Sequence, residues 1–248
     1  MHETPADLAG VEPLAPVSGK RRAIVVALVL VGLGAATGGA LGLRQSWHPR
    51  PTAVQLAAAE RTESASRWRL LTAGQIFPSL IYYVTTAGAH TAARLVGIAP
   101  AAPCASATDG AVGVVLARHG CRAMLRATYA DASGTLVATA GIAVMPDGPA
   151  AGIAFVQAPS DGVGLDTVSF PDTPAGQFGD PQRAWFGSER EGRYIEFMVA
   201  GFADGRITRT TLEDRALTDF TAALLGYLSV GSLITHPANP CDATDIRC

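Results

Sequence analysis

The residues able to do chemistry in this 248-residue chain are few: four cysteines, five histidines and some scattered acid pairs. Cys104, Cys121, Cys241 and Cys248 include no C-x-x-C, so a thiol redox centre or a zinc site lacks its spacing. An even number of cysteines points instead to disulfides. Three pairings are open. The local one, Cys104 with Cys121 and Cys241 with Cys248, is favoured, and a Cys104–Cys121 bond contributes about 3 kcal/mol in the loop-entropy picture.

The histidines are His2, His48, His90, His119 and His236. Only His90 and His119 fall where a fold could bring a serine or an acid to them. Glu189/Glu191, Glu213/Asp214 and Asp242/Asp245 are paired acids, but spacing alone does not separate a glycosidase pair from solvated charge. Asp242-x-x-Asp245 lacks the further oxygen ligands of a calcium loop. After the apolar segment there is no G-x-S-x-G, H-E-x-x-H, S-x-x-K, P-loop or G-x-G-x-x-G. The sequence therefore assigns no catalytic residue, no cofactor and no metal ligand.

Charge narrows the partners. The net charge is −2 with 16% charged residues, and Lys20-Arg21-Arg22 is the longest run of one sign. Nucleic-acid binding has no electrostatic footprint here. Lys20 is the single lysine, and the single asparagine, Asn239, precedes proline and cannot be a glycosylation acceptor. Heavy use of Ala, Gly and Arg matches a high-GC bacterial source.

The elements that must position these residues begin with residues 23–43, AIVVALVLVGLGAATGGALGL, which hold no charge. At about 1.5 Å per residue they span roughly 31 Å, the thickness of a bilayer core. The basic triplet before this segment, against Arg44 alone after it, places residues 1–22 in the cytoplasm and the rest outside the cell membrane. A cleaved signal peptide is disfavoured by the length of both the leader and the apolar stretch. Gly34, Gly38 and Gly42 recur at every fourth residue, a face through which a membrane-protein partner or a second copy could approach.

Five regions follow: a disordered cytoplasmic tail (1–22), the transmembrane helix (23–43), a juxtamembrane stalk helix (44–71), an extracytoplasmic domain (72–235) and a disulfide-closed tail (236–248). The stalk helix runs from Thr52 to Leu71, with Val54, Ala57, Ala58, Ala65 and Trp68 as a fair apolar stripe. Within the domain, Ile76–Val84 reads as a strand or an apolar linker, and Ala92–Ile98 as a short strand ended by the proline-rich run to Pro103. Ser106 can cap a helix reaching His119, with Gly120 as its stop.

Cys121–Tyr129 and Thr135–Met145 alternate with period two around Asp131-Ala132-Ser133-Gly134, the mark of a β-hairpin. Gly148–Ala158 reads as a helix, Leu165–Phe170 and Arg193–Phe202 as strands, and Leu212–Val230 as a helix with Leu212, Leu217, Phe220, Leu224, Leu225 and Leu228 inward. The fold class expected is α+β: a mostly antiparallel sheet with helices packed on one face, preceded by one transmembrane helix.

The stretches ARLVGIAPAAPC (93–104), HGCRAMLRATYADASGTLVATAGIAVMPD (119–147) and FADGR (202–206) resemble actinobacterial single-pass anchored ectodomain proteins of unknown function. In broad plan the domain is also similar to the disulfide-bonded sensor domains outside mycobacterial serine/threonine kinases. That resemblance implies a ligand-binding fold and no functional residue. The function expected is a non-catalytic, anchored binding or accessory protein of the cell envelope. A small-ligand sensor domain is the alternative, and an envelope hydrolase using His90 or His119 comes third.

Overall fold

The computed structural model describes residues 51–158, 164–207, 210–229, 231 and 233, with isolated helical positions 24, 26, 27 and 30. The tail 1–22, Gly34, Gly38 and Gly42, Cys241 and Cys248, His2, His48 and His236, and Asp242 and Asp245 lie outside the described residues. So does nearly all of segment 23–43. Among the described residues no helix is long and apolar enough to cross a membrane. The chain divides into two units, and Ala53–Arg247 forms the one described below.

The alternating run after Cys121 folds as the sequence pattern requires. β3 (Ala123–Asp131) and β4 (Leu136–Val144) pair antiparallel, with Thr128 opposite Thr139. Asp131 closes the turn by accepting from the Thr135 and Leu136 N–H groups, and Gly134 takes the left-handed conformation at φ 71°. Around this hairpin the sheet has six strands in the order β1-β2-β3-β4-β6-β5, all antiparallel. The others are β1 (Leu80–Val84), β2 (His90–Ala102), β5 (Trp185–Glu191) and β6 (Tyr194–Phe202).

Among the described residues of this unit, five α-helices accompany it: α1 (Ala53–Leu70), the short α2 (Ala73–Ile76), α3 (Gly110–Arg118), α4 (Gly148–Gln157) and α5 (Thr211–Ser229). The molecule is α+β, as expected, but the helices do not share one face. Every residue of β4 and β6 is buried. Ala138, Ala140, Ile142, Met198 and Ala200 pack under Leu217, Phe220, Leu224 and Leu228 of α5. The residues between them, Ala143, Ile195, Phe197 and Val199, pack with Val112 and Leu116 of α3 and Ala151 and Ala154 of α4. Near-continuous apolar strands such as IAV and FMVAG need cover on both faces, and helices provide it on both.

Several boundaries differ from the sequence reading. β2 continues through Pro100 to Ala102, absorbing the proline through register shifts at Leu95/Gly97 and Ala99/Ala102. Cys104–Ser106 is a 3-10 turn, and the helix starts at Gly110 after Asp109, so Ser106 is not its cap. Gly120, at φ 77°, does end that helix. Leu212 is exposed, one turn ahead of the buried stripe of α5.

Residues 165–170 are not a strand, apart from one bridge between Leu165 and Thr108. They cross the face of the sheet, where side chains take the place of a ladder. Thr128 donates to the Val168 carbonyl at 2.7 Å, and the Val168 N–H donates to Thr139 Oγ1 at 3.1 Å. The Thr167 N–H donates to Asp180. A strand-like composition cannot distinguish lying on a sheet from lying in it.

Cys104 and Cys121 form a disulfide with Cα atoms 6.2 Å apart. It closes the connection that carries α3 between β2 and its neighbour β3.

Candidate functional site

A cleft of about 800 Å³ lies between α1 and the end of the sheet. Ala57, Glu60, Arg61, Ser64, Ala65 and Arg67 of α1 form one wall. The other wall is Pro146, Asp147 and Gly148, where β4 passes into α4, with Glu191, Gly192, Arg193 and Tyr194 at the β5–β6 turn. Gly192 makes that turn possible, at φ 55°.

The inner face of α1 is built of charge. Its fully buried residues are Ala59, Glu63 and Arg67, spaced four apart on one face; of the stripe Val54, Ala57, Ala58, Ala65 and Trp68, Trp68 packs half-buried against the core. Val54 is 76% exposed. Glu63 accepts from Arg67 through both carboxylate oxygens, at 2.8 and 2.7 Å, a bidentate pair. Arg67 Nη1 also donates to the Leu233 carbonyl at 3.1 Å, linking α1 to the chain just past α5. The hydrogen bond to Glu63 raises the Arg67 pKa further, against the opposing effect of burial.

Across from α1, three groups lie in or near the cleft floor. Tyr194 is 3% exposed, and its hydroxyl has no hydrogen-bond partner among the described residues. Burial raises the phenol's pKa. Arg193 is half-buried and donates from Nε to the Met145 carbonyl at 3.1 Å. Burial holds its pKa below the ordinary guanidinium value and Arg122 adds to that, while Tyr194 and Asp147 act in the opposite direction. Two residues along the same strand face from Tyr194, Glu196 is 2% exposed, with Oε2 unpartnered. Burial, then Glu189 and Glu191, push its carboxyl up to about 8. Glu189 lies directly across from it on β5. Those exposed acids thus act as a local field on Glu196.

On the opposite face Asp109, Asp166, Asp180, Arg126 and Arg183 cluster. Arg183 pairs with Asp109 at 2.9 Å and donates to the Leu165 carbonyl at 3.0 Å. Burial, then the neighbouring Asp180 and Asp109, raise the Asp166 pKa. This network fastens residues 164–183 to the sheet, and it occupies Asp109, the residue that would otherwise cap α3.

Of the residues weighed from sequence, His119 Nε2 lies 2.8 Å from Gln157 Oε1, and His90 opens β2 at the surface. Neither has a serine or carboxylate as hydrogen-bond partner among the described residues. Glu213 accepts from Arg206 and from the Thr210 N–H, as the first-turn acid of α5. Hydrogen bonds from Thr210 lower its pKa. No group of three or more His, Cys, Asp or Glu among the described residues could hold a metal ion.

Sequence reasoning passed over Glu63, Arg67, Arg193, Tyr194 and Glu196. Two signals were available: the i, i+4 acid–base spacing of Glu63 and Arg67, and one acid inside the apolar run YIEFMVAGF. Comparison with family profiles, curated proteins and solved structures finds no match to this chain.

Proposed function

We propose that this chain is a membrane-anchored extracytoplasmic binding protein of the cell envelope, and that the cleft beside α1 is where it binds. The observation that carries the reading is the cleft itself: its walls hold a half-buried arginine, and α1 follows closely on the apolar segment 23–43. Concave sites with an apolar lining and a few polar groups are the usual form of small-ligand sites. The lining here includes Ala57, Ala65, Pro146 and Leu233 among the charged residues.

The test is to purify the full-length protein from membranes in mild detergent and analyse it by native mass spectrometry. The proposal expects a retained small molecule or envelope protein, lost when the cleft residue Ala65 is replaced by Trp. A full-length protein that is soluble without detergent removes the anchor. A clean mass and no co-purifying species, from native-level expression, remove the binding role.

A further inference from the structure

We infer that the cleft recognises an oxyanion, the carboxylate or phosphate group of a small ligand, held between Arg193 and Arg61. The inference rests on the binding reading above and names its chemistry. A guanidinium withdrawn from water is costly unless an anion or several acceptors complete it. Arg193 has one such acceptor, the Met145 carbonyl, and forms no ion pair among the described residues. Its fork therefore has donors to spare, in the geometry that suits carboxylate and phosphate.

Arg61 stands on the facing wall, exposed and likewise without an ion pair among the described residues. Arg67, by contrast, is already neutralised by Glu63. The Tyr194 hydroxyl is closed off from solvent and is not part of the anion site.

Three acids also line the cleft, and one of them, Asp147, acts electrostatically on Arg193. Asp147 accepts from the Ala150 N–H at 2.8 Å as the cap of α4. Glu60 and Glu191 are exposed, where water and salt screen them. They oppose a ligand that is anionic throughout, so the occupant carries its charge at one end and is neutral or cationic at the other.

The experiment uses full-length protein in detergent, titrated with inorganic phosphate in one arm and acetate in the other, at constant ionic strength. Thermal stability is the readout. Phosphate or acetate at tens of millimolar is expected to raise Tm, and the responding arm assigns the phosphoryl or carboxylate source. R193Q is expected to lose about tenfold or more in affinity, the loss of a charge-assisted hydrogen bond. R61Q, at an exposed position where folding is not at issue, weakens binding severalfold. R118Q, an exposed arginine of α3 away from the cleft, leaves the affinity unchanged.

Equal responses in R61Q, R118Q and wild type would mean non-specific screening, and the assignment is then wrong. It is equally wrong if neither anion shifts the wild type. A neutral ligand recovered by the native mass spectrometry above sinks the oxyanion while leaving the binding role standing.

Discussion

Glu196 holds a proton where most surface carboxylates have lost theirs, and that has a consequence for stability. Its folded pKa is about 8, whereas an unfolded glutamate titrates near about 4.3. Between those values the native state binds the extra proton, so the contribution is complete at low pH and declines as pH rises toward 8. The slope is up to about 1.4 kcal/mol per pH unit. Urea melts from pH 5 to 9 should therefore show wild-type stability falling through neutrality, while E196Q stays flatter and overtakes it above neutral pH. Parallel curves for the two proteins would contradict a buried neutral carboxyl. Arg67 and Glu63 make a different case, since their side chains are 8% and 7% exposed and already paired. R67A strands a buried carboxylate and should cost about 3–5 kcal/mol, whereas R67M combined with E63L should come close to wild type. Equal losses in the two variants would show that packing, not charge, sets the cost.

Close approach of main chains, rather than propensity, fixes the strand elements around β6. At Gly201 a methyl group would overlap the backbone carbonyl of Gln182 and come within 3.0 Å of the Phe178 ring. Backbone cannot step aside as a side chain does. G201A should therefore cost about 1–3 kcal/mol or more in a chemical melt. Gly152, inside α4 with open space around it, gives the contrast: G152A should gain up to about 1 kcal/mol. A neutral G201A would mean that Gln182 is not held where the structure places it. The same distinction explains what was legible in the sequence. Period-two patterning around a glycine-containing turn revealed β3 and β4, a near-continuous apolar run revealed β6, and the leucine spacing revealed α5, because burial writes itself into residue type. β5 was missed because Trp185–Glu191 is an edge strand half in water, with charges and a glycine in place of alternation. Residues 165–170 read as a strand because threonine side chains from β3 and β4, distant in sequence, supply their hydrogen bonds. The cleft was illegible for a related reason, as its two walls come from residues more than seventy apart.

At the scale of the whole molecule, the two sides of the cleft differ in how they are held. β4 and β6 are buried along their full length between two apolar layers, with α5 on one side and α3 and α4 on the other. α1 fully buries one apolar residue, Ala59, together with the Glu63–Arg67 pair, and packs Trp68 half-buried against the core near its end, while much of its surface faces solvent. Regions with few buried apolar contacts open at lower free energy than the core. Amide hydrogen exchange on the full-length protein should therefore show β4 and β6 exchanging last and α1 well before them. A ligand bridging Arg61 and Arg193 would hold α1 to the sheet and slow its exchange without altering that of β4. Such a coupling would be a physical route from binding in the cleft to the order of α1. If α1 amides persist as long as those of β6 without ligand, the helix is a fixed wall and that route is absent.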